Sequence, residues 1–89
     1  MTEWTLDIKN LKAGDGEHFA QWTTVKAGPS ADSCKDKARD LARWTPSLAF
    51  RLYDPTGILH AVCIPGTRAR ARLRWETDCA HKPRETLPR

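Results

Sequence analysis

Hydrophobic and polar residues alternate along several separate stretches of this chain, and a period of two residues is typical of β-strands. In the first stretch, Trp4, Leu6 and Ile8 alternate with polar residues, which predicts a strand with one buried face. Residues 13–16, Ala-Gly-Asp-Gly, contain the residue types that tolerate a positive φ angle. A hairpin turn is therefore predicted after the first strand.

The second stretch, residues 17–26, is rich in the aromatic and β-branched residues that strands favour. Its alternation slips between Phe19 and Trp22, and this slip predicts a β-bulge inside the strand. Gly28 and Pro29 then end the strand. The first two strands are expected to form an antiparallel hairpin.

The next segment has the period of a helix. Ser30 is a favourable N-cap for a helix from Ala31 to about Trp44, and Pro46 ends it because the residue before a proline resists helical backbone angles. One narrow apolar stripe runs along this helix: Ala31, Cys34, Ala38, Leu41 and Ala42. Opposite charges three residues apart occupy its polar side, namely Asp32 with Lys35, Asp36 with Arg39, and Asp40 with Arg43. The helix is expected to pack on one side only.

Alternation resumes in residues 48–53, which predicts Phe50 and Leu52 on one face and Arg51 and Tyr53 on the other. Asp-Pro-Thr-Gly at 54–57 predicts a tight turn into a further strand at 58–64. In that strand, apolar residues occur at both odd and even positions, so both faces of the strand are apolar. This is typical of a strand in the middle of a sheet. Because a single helix covers one sheet face only, the second face would need a cover: the C-terminal tail, a second copy of the chain, or another protein.

Residues 67–75 alternate most strictly of all. This pattern excludes a helix and predicts a strand whose two faces differ completely. One face carries Arg68, Arg70, Arg72 and Arg74, and the other carries Ala69, Ala71, Leu73 and Trp75.

The predicted fold class is α+β: an antiparallel sheet with one helix packed on one face, in the order β-β-α-β-β-β. The 89 residues suit a single domain, which we place at residues 1–76, followed by a flexible polar tail at 77–89. No apolar run approaches the roughly 20 residues of a membrane helix, and the N-terminus lacks the pattern of a secretory signal. An odd number of cysteines favours reduced thiols, so the expected location is the cytoplasm.

The four arginines of residues 67–75 equal the whole formal net charge of +4, because the remaining eleven basic residues balance the eleven acidic ones. Side chains on one strand face are about 6.6 Å apart, so like charges in such a row repel one another and favour binding of an anion. The leading interpretation is a non-enzymatic module that binds the phosphate backbone of DNA or RNA. Contributing residues on neighbouring segments would be Lys9, Arg51 and Tyr53, with Lys82 and Arg84 of the tail.

Other interpretations of the arginine row remain open. Charged residues protect sheet edges against aggregation, and the arginines could pair with Asp7, Glu17 or Asp54 of neighbouring strands. The row could also dock an acidic protein surface. The chain would then be an adaptor, or an inhibitor of the kind that phages and other mobile elements use against host machinery, and a homodimer is possible. A membrane-surface role is disfavoured because the predicted helix is not basic.

Further chemistry has weaker signals. His60, Cys63, Cys79 and His81 are compatible with zinc, but residues three apart on a strand face opposite ways, so no metal or other cofactor is predicted. A disulfide between Cys63 and Cys79 stays open. No nucleophile motif, carboxylate pair or phosphate loop is present, so an enzyme is not expected. The four tryptophans, Trp4, Trp22, Trp44 and Trp75, are expected in the core rather than as stacking platforms.

Overall fold

The computed structural model describes residues 3–63 and 73–77, and within them it shows an antiparallel four-stranded sheet with one helix. The elements in chain order are β1 (Trp4–Asn10), β2 (Thr23–Gly28), α1 (Ala31–Trp44), β3 (Leu48–Tyr53) and β4 (Leu59–Cys63). The order of strands across the sheet is β2-β1-β3-β4. The predicted α+β class and the single helix are confirmed.

The fifth strand predicted at residues 67–75 does not appear in the described sheet, which has four strands. Residues 67–72 lie outside the described part of the chain, and residues 73–77 form no strand. They contribute one isolated antiparallel bridge, in which Glu76 exchanges two backbone hydrogen bonds of 2.7 and 2.9 Å with Val62. Residues 78–89, which include most of the predicted tail, also lie outside the described residues.

The prediction that the 58–64 strand lies in the middle of the sheet is also wrong. Among the described strands β4 is at the end of the sheet, whereas β1 and β3 are each paired on both sides. Apolar residues at both parities mark a strand that is buried on both faces, and this does not require a neighbour on both edges. In β4, Leu59 is buried on one face and Ala61 and Cys63 are buried on the other, whereas His60 is exposed.

The second strand begins later than its composition predicts. Phe19 has a φ of 63°, in the left-handed region that strands do not use, and β2 starts only at Thr23. The slip in alternation therefore marks the approach to the strand and not a bulge within it. The bulge lies further on, where Leu6 pairs with Lys26 and Asp7 with Thr24, leaving one extra residue on β2.

Helix α1 begins and ends where the sequence predicts. The Ser30 hydroxyl accepts a 3.2 Å hydrogen bond from the Ser33 amide, and the Thr45 amide closes the last turn by donating to the Leu41 carbonyl at 3.0 Å. Cys34 and Ala38 are its fully buried residues, and their small side chains let the helix lie close to the sheet. Of the three predicted charge pairs, Asp36 with Arg39 forms an exposed ion pair at 3.4 Å.

Gly28 sits where β2 approaches the first turn of α1 and is buried. A Cβ atom at this position would collide with the Ser33 hydroxyl oxygen, which itself donates to the Ser30 carbonyl at 2.8 Å. Gly28→Ala is therefore expected to destabilise the fold by about 1–3 kcal/mol, the usual range for overpacking. Urea unfolding followed by tryptophan fluorescence measures this. Gly16→Ala is the contrasting variant, since its Cβ would meet no atom and any cost there comes from its φ of +85° alone.

The core lies between α1 and one sheet face. Leu6, Ile8, Phe50, Leu52 and Cys63 pack there with Cys34 and Ala38 of the helix, each fully buried. Trp4 and Trp75 pack against this cluster, as the sequence predicts. The ring of Trp75 is 6.1 Å from that of Phe50, and the Lys35 ammonium lies 5.8 Å from its centroid. These contacts hold the segment at 73–77 beside the folded body.

Candidate anion-binding site

The sheet face opposite α1, here called the second face, holds the described candidates for anion binding. Strand register places Asp7 beside Arg51, Lys9 beside Ala49 and Thr5 beside Tyr53, all at the parity opposite to the core residues. Leu59 and Val62 of β4 and Thr24 of β2 continue the same face. The predicted facing of Arg51 and Tyr53 away from Phe50 and Leu52 is thus confirmed.

Much of the second face is closed to solvent. Ala49 and Tyr53 are each 1% exposed and Leu59 is 2% exposed. These side chains are buried within a single chain. Tyr53 is therefore buried in this structure, and its contact with a nucleic acid stays a prediction.

Arg51 is half-buried and lies on a part of the second face that is more accessible to solvent. Its guanidinium carbon is 4.0 Å from the centroid of the Trp22 ring, a distance typical of a stacked cation–π contact. Trp22 is half-buried and reaches Arg51 from the approach to β2. Stacking on the indole restricts the orientation of the guanidinium plane. Lys9, on the neighbouring strand β1, is half-buried.

Asp7 is the buried acidic residue of this face, with 6% of its surface exposed. Its Oδ1 accepts a 2.5 Å hydrogen bond from the Thr24 hydroxyl, across the bulge in the β1–β2 ladder. A hydrogen bond to a buried carboxylate offsets part of the cost of removing the charge from water.

Of the arginine row, Arg74 falls within the described residues, whereas Arg68, Arg70 and Arg72 lie outside them. Arg74 is exposed, and the residues that follow it fix its position. Trp75 packs against the core, and Glu76 is hydrogen-bonded to the edge of β4. Arg74 is therefore exposed to solvent on an anchored backbone.

Charge divides sharply along the chain. Residues 3–63 contain eight basic and eight acidic side chains, so the folded body is electrically neutral. Residues 64–89 contain seven basic and three acidic side chains, which accounts for the entire net charge of +4. The excess positive charge of this protein therefore lies in its last third.

Two of the acids considered as partners for the arginines have local roles. The Glu17 carboxylate accepts a 2.9 Å hydrogen bond from the Gly14 amide. Asp54 Oδ1 accepts from the amides of Thr56 and Ile58, at 2.9 and 3.0 Å, and from the Thr56 hydroxyl. Desolvation alone would raise the pKa of Asp54, but these hydrogen bonds from Thr56 and Ile58 outweigh it and lower the pKa. Turn formation therefore accounts for the positions of both carboxylates.

The zinc-compatible residues do not assemble within the described ranges, where no cluster of three or more potential ligands occurs. Cys63 is fully buried in the core. His60 is exposed, and its ring makes an edge contact with Trp4 at 4.9 Å between centroids. Cys79 and His81 lie outside the described residues. Burial raises the pKa of the Cys34 thiol, which makes this cysteine a poor nucleophile.

Two tryptophans contradict the expectation that all four lie in the core: Trp22 packs on Arg51 outside the core cluster, and Trp44 is exposed. Trp44, the last residue of α1, is 85% exposed. Leu11 at the end of β1 is 52% exposed, and its amide donates to the Ser47 carbonyl at 3.1 Å. Within residues 3–63 and 73–77 these are the two large hydrophobic residues that face solvent.

Comparison with protein-family models, with curated proteins and with solved structures gives no match to this chain. No helix within the described ranges has both the length and the apolar character needed to cross a membrane.

Proposed function

We propose that this protein is a non-enzymatic module that binds the phosphate backbone of a nucleic acid through Arg68, Arg70, Arg72 and Arg74. The α+β body acts as the scaffold that anchors the arginine-bearing segment. Arg51 and Lys9 add charge from the sheet. The three cysteines, too few for a disulfide scaffold, support a cytoplasmic setting.

The observation that carries this proposal is the division of charge. A neutral body of residues 3–63 is joined to a segment with all of the net charge, and four of its seven cations occur at every second position. A charge that served only solubility would have no reason to be confined in this way. Arginine also suits phosphate better than lysine does, because its planar guanidinium donates two parallel hydrogen bonds to phosphate oxygens.

The anchoring of Arg74 supports the same proposal. Trp75 and Glu76 tie the end of the arginine row to the core and to β4, so at least this cation is presented from a fixed backbone. A fixed cation loses less conformational entropy on binding than one on a flexible chain. The phosphate contacts would position the protein and would give little sequence preference.

The test is a titration of the full chain into fluorescently labelled 20-nucleotide DNA, as single strand and as duplex, followed by anisotropy in about 50 mM salt. The proposal predicts binding that added salt weakens. Failure to bind either form at this salt concentration would contradict it.

A further inference from the structure

Two different parts of the chain cover the core on its helix side. Helix α1 packs chiefly against β1, β2 and β3. β4 lies at the far end of the described sheet from β2, yet its core-facing residues Ala61 and Cys63 are 2% and 0% exposed. Leu73 and Trp75 pack against the core cluster that contains Cys63. The segment at 73–77, here called the strap, therefore covers the part of the core that α1 reaches least.

The position of the strap follows from its described bridge to β4. Val62 and Glu76 are antiparallel partners, so the residue before Glu76 lies beside the residue after Val62. These two neighbours are Trp75 and Cys63. The ring of Trp75 also lies 6.1 Å from that of Phe50, the β3 residue that pairs with Cys63. Trp75 thus closes the core at Cys63.

The strap is held by fewer contacts than the strands are. β1 and β3 pair along the whole of residues 5–10, whereas the strap pairs with β4 through one isolated bridge among the described residues. Leu73 and Trp75 are half-buried, and Arg74 and Thr77 are exposed. The Lys35 ammonium adds a cation–π contact, 5.8 Å from the centroid of the Trp75 ring. A segment with few buried contacts and few hydrogen bonds opens at a lower free energy than the whole domain unfolds.

We infer that the strap releases as a unit while the sheet and α1 stay folded, and that this release opens the core at Cys63. The two buried thiols of the described residues are then protected by different elements. Cys63 is protected by the strap. Cys34 faces the sheet from α1, where its thiol donates to the Trp4 carbonyl at 3.5 Å, so it is exposed only when the helix leaves the sheet. Strap release is a property of the folded body and does not depend on binding to a nucleic acid.

The experiment measures alkylation of each thiol by iodoacetamide in the native full-length chain, in a Cys79→Ser background, by mass spectrometry of the two peptides. Each rate is divided by the rate of the same thiol in the urea-unfolded chain, which removes differences in intrinsic reactivity. Cys63 is expected to react at least about tenfold faster than Cys34. Low urea should leave the Cys63 rate nearly unchanged and raise the Cys34 rate steeply, because strap release exposes little surface and global unfolding exposes much.

Three variants separate strap release from global unfolding. Trp75→Ala weakens the packing of the strap and should raise the Cys63 rate at least about tenfold. Because this loss also lowers global stability, a variant outside the strap carries the distinction. Gly28→Ala strains the contact between β2 and α1, so it should raise the Cys34 rate about tenfold and leave the Cys63 rate unchanged. Trp44→Ala is the matched control for Trp75→Ala, since Trp44 is 85% exposed, and it should change neither rate.

Glu76→Pro tests the backbone bridge without removing a core side chain. Proline lacks the amide that donates to the Val62 carbonyl at 2.7 Å, so this variant should also raise the Cys63 rate. Its result decides the question if Trp75→Ala does not fold.

Three results would overturn the inference. A normalised Cys63 rate no higher than that of Cys34, or an equal response of both thiols to urea or to Gly28→Ala, would make exposure of Cys63 part of global unfolding. A Cys63 rate that neither Trp75→Ala nor Glu76→Pro changes would show that the strap does not protect it.

Discussion

Replacing Arg68, Arg70, Arg72 and Arg74 together by glutamine is expected to lower the affinity for a 20-base-pair duplex by at least about a thousandfold at roughly 50 mM salt. Four phosphate contacts make the binding constant fall by about 3.6 powers of ten for each tenfold rise in salt. Removing the contacts removes this electrostatic contribution. Anisotropy titrations of the quadruple variant and the wild type, both full-length, measure the difference.

Net charge must be separated from position in this experiment. Arg70→Gln with Arg72→Gln and Lys37→Gln with Arg39→Gln remove the same charge, the first pair from the arginine row and the second from the exposed side of α1. The arginine-row pair should bind at least tenfold more weakly than the helix pair. Equal losses in the two double variants would show that overall charge, and not the row, is responsible.

Phe50→Ala is expected to destabilise the domain by about 3–5 kcal/mol, which is most of the roughly 5–8 kcal/mol expected for a chain of this size. Phe50 is fully buried in β3, between the neighbouring residues Ile8 and Cys63, and its ring meets that of Trp75. Truncation leaves a cavity at the centre of the core and also loosens the anchor of the arginine-bearing segment.

Chemical denaturation followed by circular dichroism measures this loss. Leu11→Ala, at a residue that is 52% exposed, should stay within about 0.5 kcal/mol of the wild type. A Phe50→Ala variant that loses less than about 1 kcal/mol would contradict the assignment of Phe50 to the core.

Local patterns in the sequence predict most of the fold because each is produced by one dominant force. The Ser30 cap, the apolar stripe of α1 and the stop at Pro46 agree with one another, and the helix occupies the predicted residues. The alternation of residues 48–53 likewise predicts the facing of each β3 side chain, because one face must be buried against the helix.

Other features depend on tertiary structure and have no local signal. The composition of residues 17–22 resembles a strand, but the left-handed backbone of Phe19 and its pairing with Asn10 keep it in a turn. The position of β4 at the end of the described sheet could not be predicted from its apolar residues, because burial of both faces and pairing of both edges are different properties.

The candidate site is predicted in part. Arg51 faces away from the core as expected. The alternation of residues predicts which face Tyr53 lies on, but it does not predict that Tyr53 is buried there. Exposure of Trp44 does have a signal: the residue lies outside the apolar stripe formed by Cys34, Ala38 and Leu41. The sequence analysis nevertheless places Trp44 in the core, because tryptophans of a small domain are usually buried.

The most direct test of the account is the salt dependence of DNA binding by the full-length wild-type protein. If four arginines neutralise phosphates, the logarithm of the binding constant should fall with the logarithm of salt concentration at a slope of about −3.6 for a duplex and about −2.8 for a single strand. A slope near zero would contradict the account. So would a slope that keeps its wild-type value after all four arginines are replaced by glutamine.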